Sequence, residues 1–166
     1  MTEQTDTTAT RLLRGIVAGA VAGIVASYAM DGFQAAAAAL VPDDGGSEPA
    51  TEQAADAAAR AVTGRDLADD AKPLGGQAIH YLFGAGLGIA YGVAAEFRPS
   101  VTAGYGTAYA LGTATLFDEA AVPALGLGPA PWRTDASGHA YSYLSHLVFG
   151  GTSELVRRQV AATLAR

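Results

Sequence analysis

Long runs without charged side chains constrain this sequence more than any other feature. No Asp, Glu, Lys or Arg occurs in residues 15–30, 73–95 or 101–117, and a fourth apolar run extends over 136–155. After Asp31 the first run resumes and continues to about residue 41. Because a helix rises 1.5 Å per residue, about 20 apolar residues cross the hydrocarbon of a bilayer. These runs therefore predict helices that cross a membrane.

The expected fold class is all-α, an integral membrane bundle of four transmembrane helices. The spans are predicted at about 12–41, 73–96, 101–122 and 136–156. Residues 1–10 are predicted to form a disordered cytoplasmic tail, and residues 11–166 a single transmembrane domain. The acidic outer loop 42–72 is expected to carry one short extramembrane helix between Pro49 and Gly64, since proline favours helix starts and glycine favours helix ends.

Charge composition narrows the class of protein further. Charged residues make up 16% of the chain, against about 25% in soluble domains. The net charge of -6 provides no basic stripe for phosphates, which argues against nucleic acid as a partner. Arginines are slightly enriched on the side of the two termini, and the positive-inside rule then places both termini in the cytoplasm. The expected localisation is therefore the plasma or inner membrane, crossed several times.

Two other interpretations of the apolar segments remain open. Residues 11–30 could be a cleaved signal peptide, although the apolar run resumes beyond Asp31 and later runs follow. A soluble alanine-rich bundle is the stronger alternative, because the mean hydropathy is only +0.21. The run at 73–95 argues against it, since it lacks the polar face of a surface helix in water.

Small residues recur every fourth position along the predicted helices. This spacing lets helix backbones approach closely, which matters in lipid because apolar burial alone gives little preference for helix over lipid tail. We interpret these residues as helix-packing positions, with some left over for contacts between protomers of a homo-oligomer. The packing candidates are Gly15, Gly19, Gly23, Gly84, Gly88, Gly92 and Gly150.

Ionisable groups lie on the same stripes, and helix rise sorts them into two layers. Intramembrane acids and histidines face a bundle interior or water, and they are functional candidates by default. The outer polar layer is predicted to contain Asp31, His80, Asp118, Glu119 and His146. The inner collar is predicted to contain Glu96, Glu154, Arg157 and Arg158. The outer layer could be a set of buried hydrogen bonds or a proton-responsive site, because histidine beside carboxylates changes charge near neutral pH.

Other chemistries find little support in the sequence. A metal site from His80, His146, Asp31 and Asp118 lacks HxxxH or ExxH spacing, and we expect no metal or other cofactor. The GAGLG segment at 84–88 has no preceding strand, so it does not predict a nucleotide loop. Hydrolase motifs such as GxSxG and HExxH are missing, and we expect no enzyme activity.

Half of the chain resembles a known family. HYLFGAGLGIAYGVAAEFRP at 80–99, PALGL from Pro123 and HLVFGGTSELVRR at 146–158 are similar to segments of the YagU-like inner-membrane proteins. The resemblance covers roughly residues 77–160. The sequence differs from that family in the acidic loop and at Asp118, where some relatives are expected to carry histidine. It implies a polytopic membrane protein without enzyme activity, in a family of unknown mechanism that is associated with acid tolerance.

The functional expectation combines these observations. It is a small membrane protein with a titratable intramembrane layer, linked to a proton or small ion as a channel, transporter or acid-tolerance factor. The expected partners are the lipid bilayer and further copies of the chain. The alternative is a non-catalytic structural or assembly module whose polar groups serve only helix packing.

Overall fold

The chain forms an all-α bundle in the computed structural model, which describes residues 6–39 and 48–166. These residues contain no β-strand, which confirms the all-α class. The α-helices are α1 Thr8–Ala38, α2 Ala50–Thr63, α3 Lys72–Phe97, α4 Thr107–Thr113, α5 Val122–Ala124 and α6 Ala136–Leu164. A π-helical segment, Ala114–Ala121, joins α4 to α5, and 3-10 turns occur at Pro99–Thr102 and Pro131–Arg133.

The helix boundaries differ from the sequence prediction at three places. Helix α1 begins inside the predicted tail 1–10, because Thr7 caps it by accepting a hydrogen bond from the Thr10 amide at 3.1 Å. The third predicted span does not begin at 101, since Gly104, Tyr105 and Gly106 have φ of 69°, 56° and 82°. This left-handed backbone forms a turn, and the helix starts only after it. Helix α6 extends beyond the predicted end at 156. The predicted end of the first span at 41 lies outside the described residues.

Within residues 6–39 and 48–166, two helices are long and apolar enough to span a membrane. Helices α1 and α3 contain 18-residue windows with mean hydropathy of 1.7 and 1.4. The segment predicted as the third span is divided among α4, the π-helical segment and α5, each shorter than 18 residues. The described residues therefore contain two candidate membrane-spanning helices, α1 and α3.

Helices α1 and α3 pack antiparallel with glycine against glycine. A Cβ added to Gly19 would collide with the Gly88 carbonyl, and one added to Gly23 would collide with the Gly84 carbonyl. A Cβ at Gly15 would lie 2.8 Å from the Val93 Cα. Only hydrogen at these positions allows the two backbones to touch.

The other helices close the bundle around α1. Ala26 and Met30 of α1 form a buried cluster with Phe149 of α6. A second close backbone contact joins α6 to the start of α4, because a Cβ on Gly150 would lie 2.7 Å from the Gly106 carbonyl oxygen. Between α3 and α4 the contact is aromatic, with the Tyr91 and Tyr109 rings stacked at 4.2 Å. Helix α1 therefore packs against both α3 and α6, with α4 on the opposite side of these two.

The short helix α2 packs across the start of α3. Its Ala55 is buried, and a Cβ on Gly76 of α3 would lie 2.6 Å from the Glu52 Cγ. Gly64 ends the helix with φ of 71°. The loop helix thus lies against the bundle, between the Pro49 and Gly64 signals in the sequence.

Replacement of Gly19 by alanine tests the backbone contact. The added methyl group meets backbone atoms that cannot rotate away, and overpacking costs about 1–3 kcal/mol. Gly86 of α3 is the matched control, because nothing lies within 4 Å of the position that a Cβ would occupy there. Alanine gains up to about 1 kcal/mol over glycine inside a helix. In thermal unfolding we expect Gly19→Ala to melt below wild type and Gly86→Ala at or above it; equal melting would contradict the contact.

The N-terminal cap of α6 predicts a pH dependence. The Gly138 amide donates to the Asp135 carboxylate at 2.7 Å, and this hydrogen bond lowers the pKa of Asp135. A lowered folded-state pKa means that the cap stabilises the fold above the unfolded value of about 4, and that this stabilisation is lost as pH falls through the folded value. Asn also caps helices but does not titrate in this range. From pH 6 to pH 3 the melting temperature of wild type should therefore fall by more than that of Asp135→Asn. An equal fall in the two proteins would refute the role of Asp135 as a titrating cap.

Candidate functional site

The antiparallel helices gather ionisable side chains at two opposite ends of the bundle. The histidine end lies where α1 and α5 finish and α3 and α6 begin. At this end the stacked rings of Phe33 and Tyr141, whose centroids are 6.3 Å apart, join α1 to α6. At the arginine end, α1 begins and α3 and α6 finish. The charged residues of the arginine end are Asp6, Arg11, Arg14, Glu96, Arg98, Glu154, Arg157 and Arg158.

One histidine–carboxylate pair joins α1 to α3 at the histidine end. The Asp31 carboxylate accepts hydrogen bonds from Gln77 Nε2 at 2.7 Å and from the Tyr81 hydroxyl at 2.9 Å. His80 Nε2 lies 3.2 Å from Asp31 Oδ1. The side chains of Asp31 and His80 are 30% and 21% exposed. Asp31 is therefore hydrogen-bonded to two residues of α3, lies beside the His80 ring, and remains partly exposed.

Two further pairs join the π-helical segment to α6. Glu119 Oε1 lies 2.7 Å from His139 Nδ1, while His139 Nε2 lies 3.1 Å from the Pro131 carbonyl oxygen. The Asp118 carboxylate accepts a hydrogen bond from Ser142 at 2.5 Å and lies 3.5 Å from His146 Nδ1. The widened turn places two consecutive acids against one helix. Such π-helical turns are frequent at functional sites.

The predicted outer layer is thus resolved into separate pairs. Asp31 meets His80, and Asp118 meets His146, as members of that layer. Glu119 contacts His139, which sequence reasoning left out of the candidate set. The sequence does contain a signal for His139, because His139 and His146 are seven residues apart and therefore lie on one face of a helix. Among the described residues no three His, Asp or Glu side chains converge in a way that could hold a metal ion.

Glu154 is the most enclosed charged group at the arginine end. It is 0% exposed, and its carboxylate accepts from both Nε and Nη2 of Arg157 at 2.8 Å, and from Arg158 Nε at 2.5 Å. The Tyr91 hydroxyl of α3 donates to it at 2.8 Å. Burial of a carboxylate is costly unless the charge is paired and its lone pairs are filled, and here both conditions hold. Tyr91 was not among the predicted site residues.

The predicted inner collar is two units rather than one ring. Glu96 of α3 forms a bidentate pair with Arg14 of α1, at 2.6 Å and 3.0 Å, and Arg14 was not predicted as a member. Glu154 holds Arg157 and Arg158 on its own helix. The first pair could have been found from sequence, because Arg14 precedes the α1 glycine stripe and Glu96 follows the α3 stripe, and antiparallel packing makes these ends meet.

Comparison with known proteins places the chain in a family. Residues 46–155 match the profile of a family described as protein of unknown function, DUF1440. The match covers more than half of the 166 residues, and the chain therefore belongs to this family. YagU-like domains are members of it, which confirms the resemblance at the level of the family. No curated protein and no solved structure was found to match the chain.

Neutralisation of Glu154 tests the buried cluster. Glu154→Gln removes the carboxylate that is paired with the largely buried Arg157, and breaking a buried ion pair costs about 3–5 kcal/mol. Tyr91→Phe removes one hydrogen bond to a charged group, worth about 1.5–3 kcal/mol. The matched control is Tyr81→Phe, whose bond to Asp31 is less buried. We expect the melting temperature to fall most in Glu154→Gln, less in Tyr91→Phe and least in Tyr81→Phe. Equal melting temperatures of Glu154→Gln and Tyr81→Phe would show that the cluster does not hold the bundle together.

Proposed function

We propose that this chain is a multi-pass membrane protein whose histidine end responds to or transmits protons. Four helical segments cross the bilayer in this proposal: α1, α3, the continuous helix from α4 to α5, and α6. The proposal combines the fold, the burial pattern and the three histidine–carboxylate pairs. Each of these contributes one step.

The burial pattern supports the membrane placement. The fully buried positions of α1 are small, with Ala18, Ala22 and Ala26 exposed by 0–1%. Its large apolar side chains point outward, among them Leu13 at 62% and Ile24 at 47% exposed. Soluble proteins rarely expose a contiguous apolar face of this kind. Lipid would cover it without penalty, and small residues would pack the interior.

The charge distribution supports an orientation. Five arginines and three carboxylates form the arginine end. The histidine end carries Asp31, Asp118, Glu119 and Asp135, and it adjoins the acidic helix α2. The positive-inside rule favours the arginine end in the cytoplasm, and the start of α1 and the end of α6 belong to that end. The histidine end would then face outward.

The observation that carries the functional proposal is that every histidine lies beside a carboxylate. All three histidines of the chain lie within 3.5 Å of a carboxylate on a neighbouring helical segment. Imidazole changes charge between about pH 5 and 8. Its protonation would turn each contact into a full ion pair and strengthen the attraction between the two helices. A fall in external pH would therefore tighten the outer ends of α1–α3 and of the π-helical segment with α6.

The arginine end would act as the fixed partner of this layer. Glu154 and Glu96 are each paired with arginine, whose charge does not change in the physiological range. The inner end would hold the helices together while the outer end changes its contacts with pH. A proton or small ion is the partner in this proposal, without cofactor or catalysis. Gly112 and Gly151 meet nothing within 4 Å and would provide small-residue faces for a homo-oligomer.

A structural module is the second candidate function. The observation that favours it is the saturation of Glu154 by Tyr91, Arg157 and Arg158, which leaves it no role beyond holding helices. A structural module predicts no proton movement, whereas the proton-linked protein predicts flux or a pH-dependent change in the bundle. One set of vesicle measurements separates the two.

Proteoliposomes with an internal pH dye provide the test. We expect wild type to collapse an imposed pH gradient faster than empty vesicles, and His80→Gln and His146→Gln to slow the collapse, because an amide cannot take up the proton. Asp70→Asn is the control, since this exposed acid precedes α3 and is not the carboxylate partner of any of the three histidines. Sedimentation with the vesicles verifies insertion, and melting temperature verifies folding. Decay equal to that of empty vesicles for inserted wild type, together with a melting temperature that is the same at about pH 5 and pH 8, would reject the proton-linked function and favour the structural module.

A further inference from the structure

A cleft opens between α3 and the start of α4 near the arginine end. Its volume is about 410 Å³, and its lining consists of Ala90, Tyr91, Ala94, Val101, Ala108 and Tyr109. The stacked rings of Tyr91 and Tyr109 lie at its base, and alanines form both walls. Ala90 and Ala108 are exposed on opposite walls. The cleft is therefore open towards the surface and walled by methyl groups.

The packing of α3 and α4 explains why this space is not filled. Where α1 meets α3, glycines bring the backbones into contact. Between α3 and the following segment, aromatic pairs set the separation, with Tyr91 on Tyr109 at 4.2 Å and Phe83 on Phe117 at 4.7 Å. Rings keep helices further apart than glycines do, and the alanines beside them are too short to close the gap. A hydrocarbon chain suits the space, because the lining is apolar apart from the hydroxyl groups of Tyr91 and Tyr109.

Two arginines at this end of the bundle indicate that a ligand of the cleft would also carry a negative charge. Arg98 stands in sequence between the lining residues Ala94 and Val101, is exposed, and has no carboxylate within 4.0 Å among the described residues. Arg158 lies over the Tyr105 ring at 4.8 Å and is 52% exposed. Guanidinium groups bind phosphate through paired hydrogen bonds. Arginines also outnumber carboxylates at this end, so an anionic headgroup is complementary to it.

We propose that this cleft binds an anionic phospholipid, with one acyl chain between α3 and α4 and the phosphate at Arg98. Basic sites between membrane helices on the cytoplasmic side recognise lipids in this way. The inference rests on the membrane placement proposed above. It does not depend on proton movement, because the cleft is at the opposite end from the histidine pairs.

Native mass spectrometry of the full chain, released from detergent, tests the site. The probes are phosphatidylglycerol and phosphatidylcholine with identical palmitoyl and oleoyl chains, added in equal amounts. We expect wild type to retain phosphatidylglycerol in preference, and Arg98→Gln to reduce that retention about tenfold, as the loss of a charge-assisted bond implies. Arg98→Lys should keep part of the preference. Arg133→Gln, at the histidine end, is the charge control and should bind as wild type does.

Filling the cleft tests the acyl-chain half of the proposal. Ala94→Phe and Ala108→Phe, from opposite walls, should each lower retention of phosphatidylglycerol, while Ala35→Phe on an exposed face of α1 should not. Melting temperature verifies that each variant is folded. Equal retention of both lipids by wild type, or equal losses in Ala94→Phe and Ala35→Phe, would overturn the site. Protein that fails to sediment with membranes would refute the membrane placement, whereas lipid retention without proton flux would refute only the proton-linked function.

Discussion

The direct backbone contact between α1 and α3 is the constraint on which the rest of the structure depends. Gly19 against Gly88 and Gly23 against Gly84 leave no room for a Cβ, and this close contact sets the register observed between the two helices. That register carries Asp31 to Gln77, Tyr81 and His80 at one end. At the other end it carries Arg14 to Glu96. Both polar units lie at the ends of a contact that consists mainly of glycine backbone, with the buried Ser27 side chain against Gly84.

The same constraint explains the unusual distribution of large and small residues. A helix that buries Ala18, Ala22 and Ala26 as well as its glycines gains little from apolar burial per residue. Its branched side chains face outward, which suits lipid far better than water. Polar groups then contribute the specific contacts, and Glu154 does so most completely, since it is fully buried and hydrogen-bonded to three side chains.

The contact between α3 and α4 has a different character. Aromatic rings instead of glycines separate the helices there, and this leaves the apolar cleft near Arg98. The following segment adopts a π-helical turn just before Pro123, which has no backbone amide to donate. This turn presents Asp118 and Glu119 to α6 together. The bundle therefore has one tightly fixed side, at α1–α3, and one side where packing leaves space and irregular backbone.

The sequence by itself determined the all-α class, the long helices α1, α3 and α6 and the small-residue stripes, because these depend on local periodicity and on Pro and Gly signals. It also determined the family, through residues 46–155. Only the tertiary structure decided which groups pair. His139 rather than a second layer member meets Glu119, Arg14 meets Glu96, and Tyr91 completes Glu154. The reason is physical: helix rise gives a residue's depth, but the choice of partner depends on helix rotation and neighbour order, which are fixed only when the glycine faces meet.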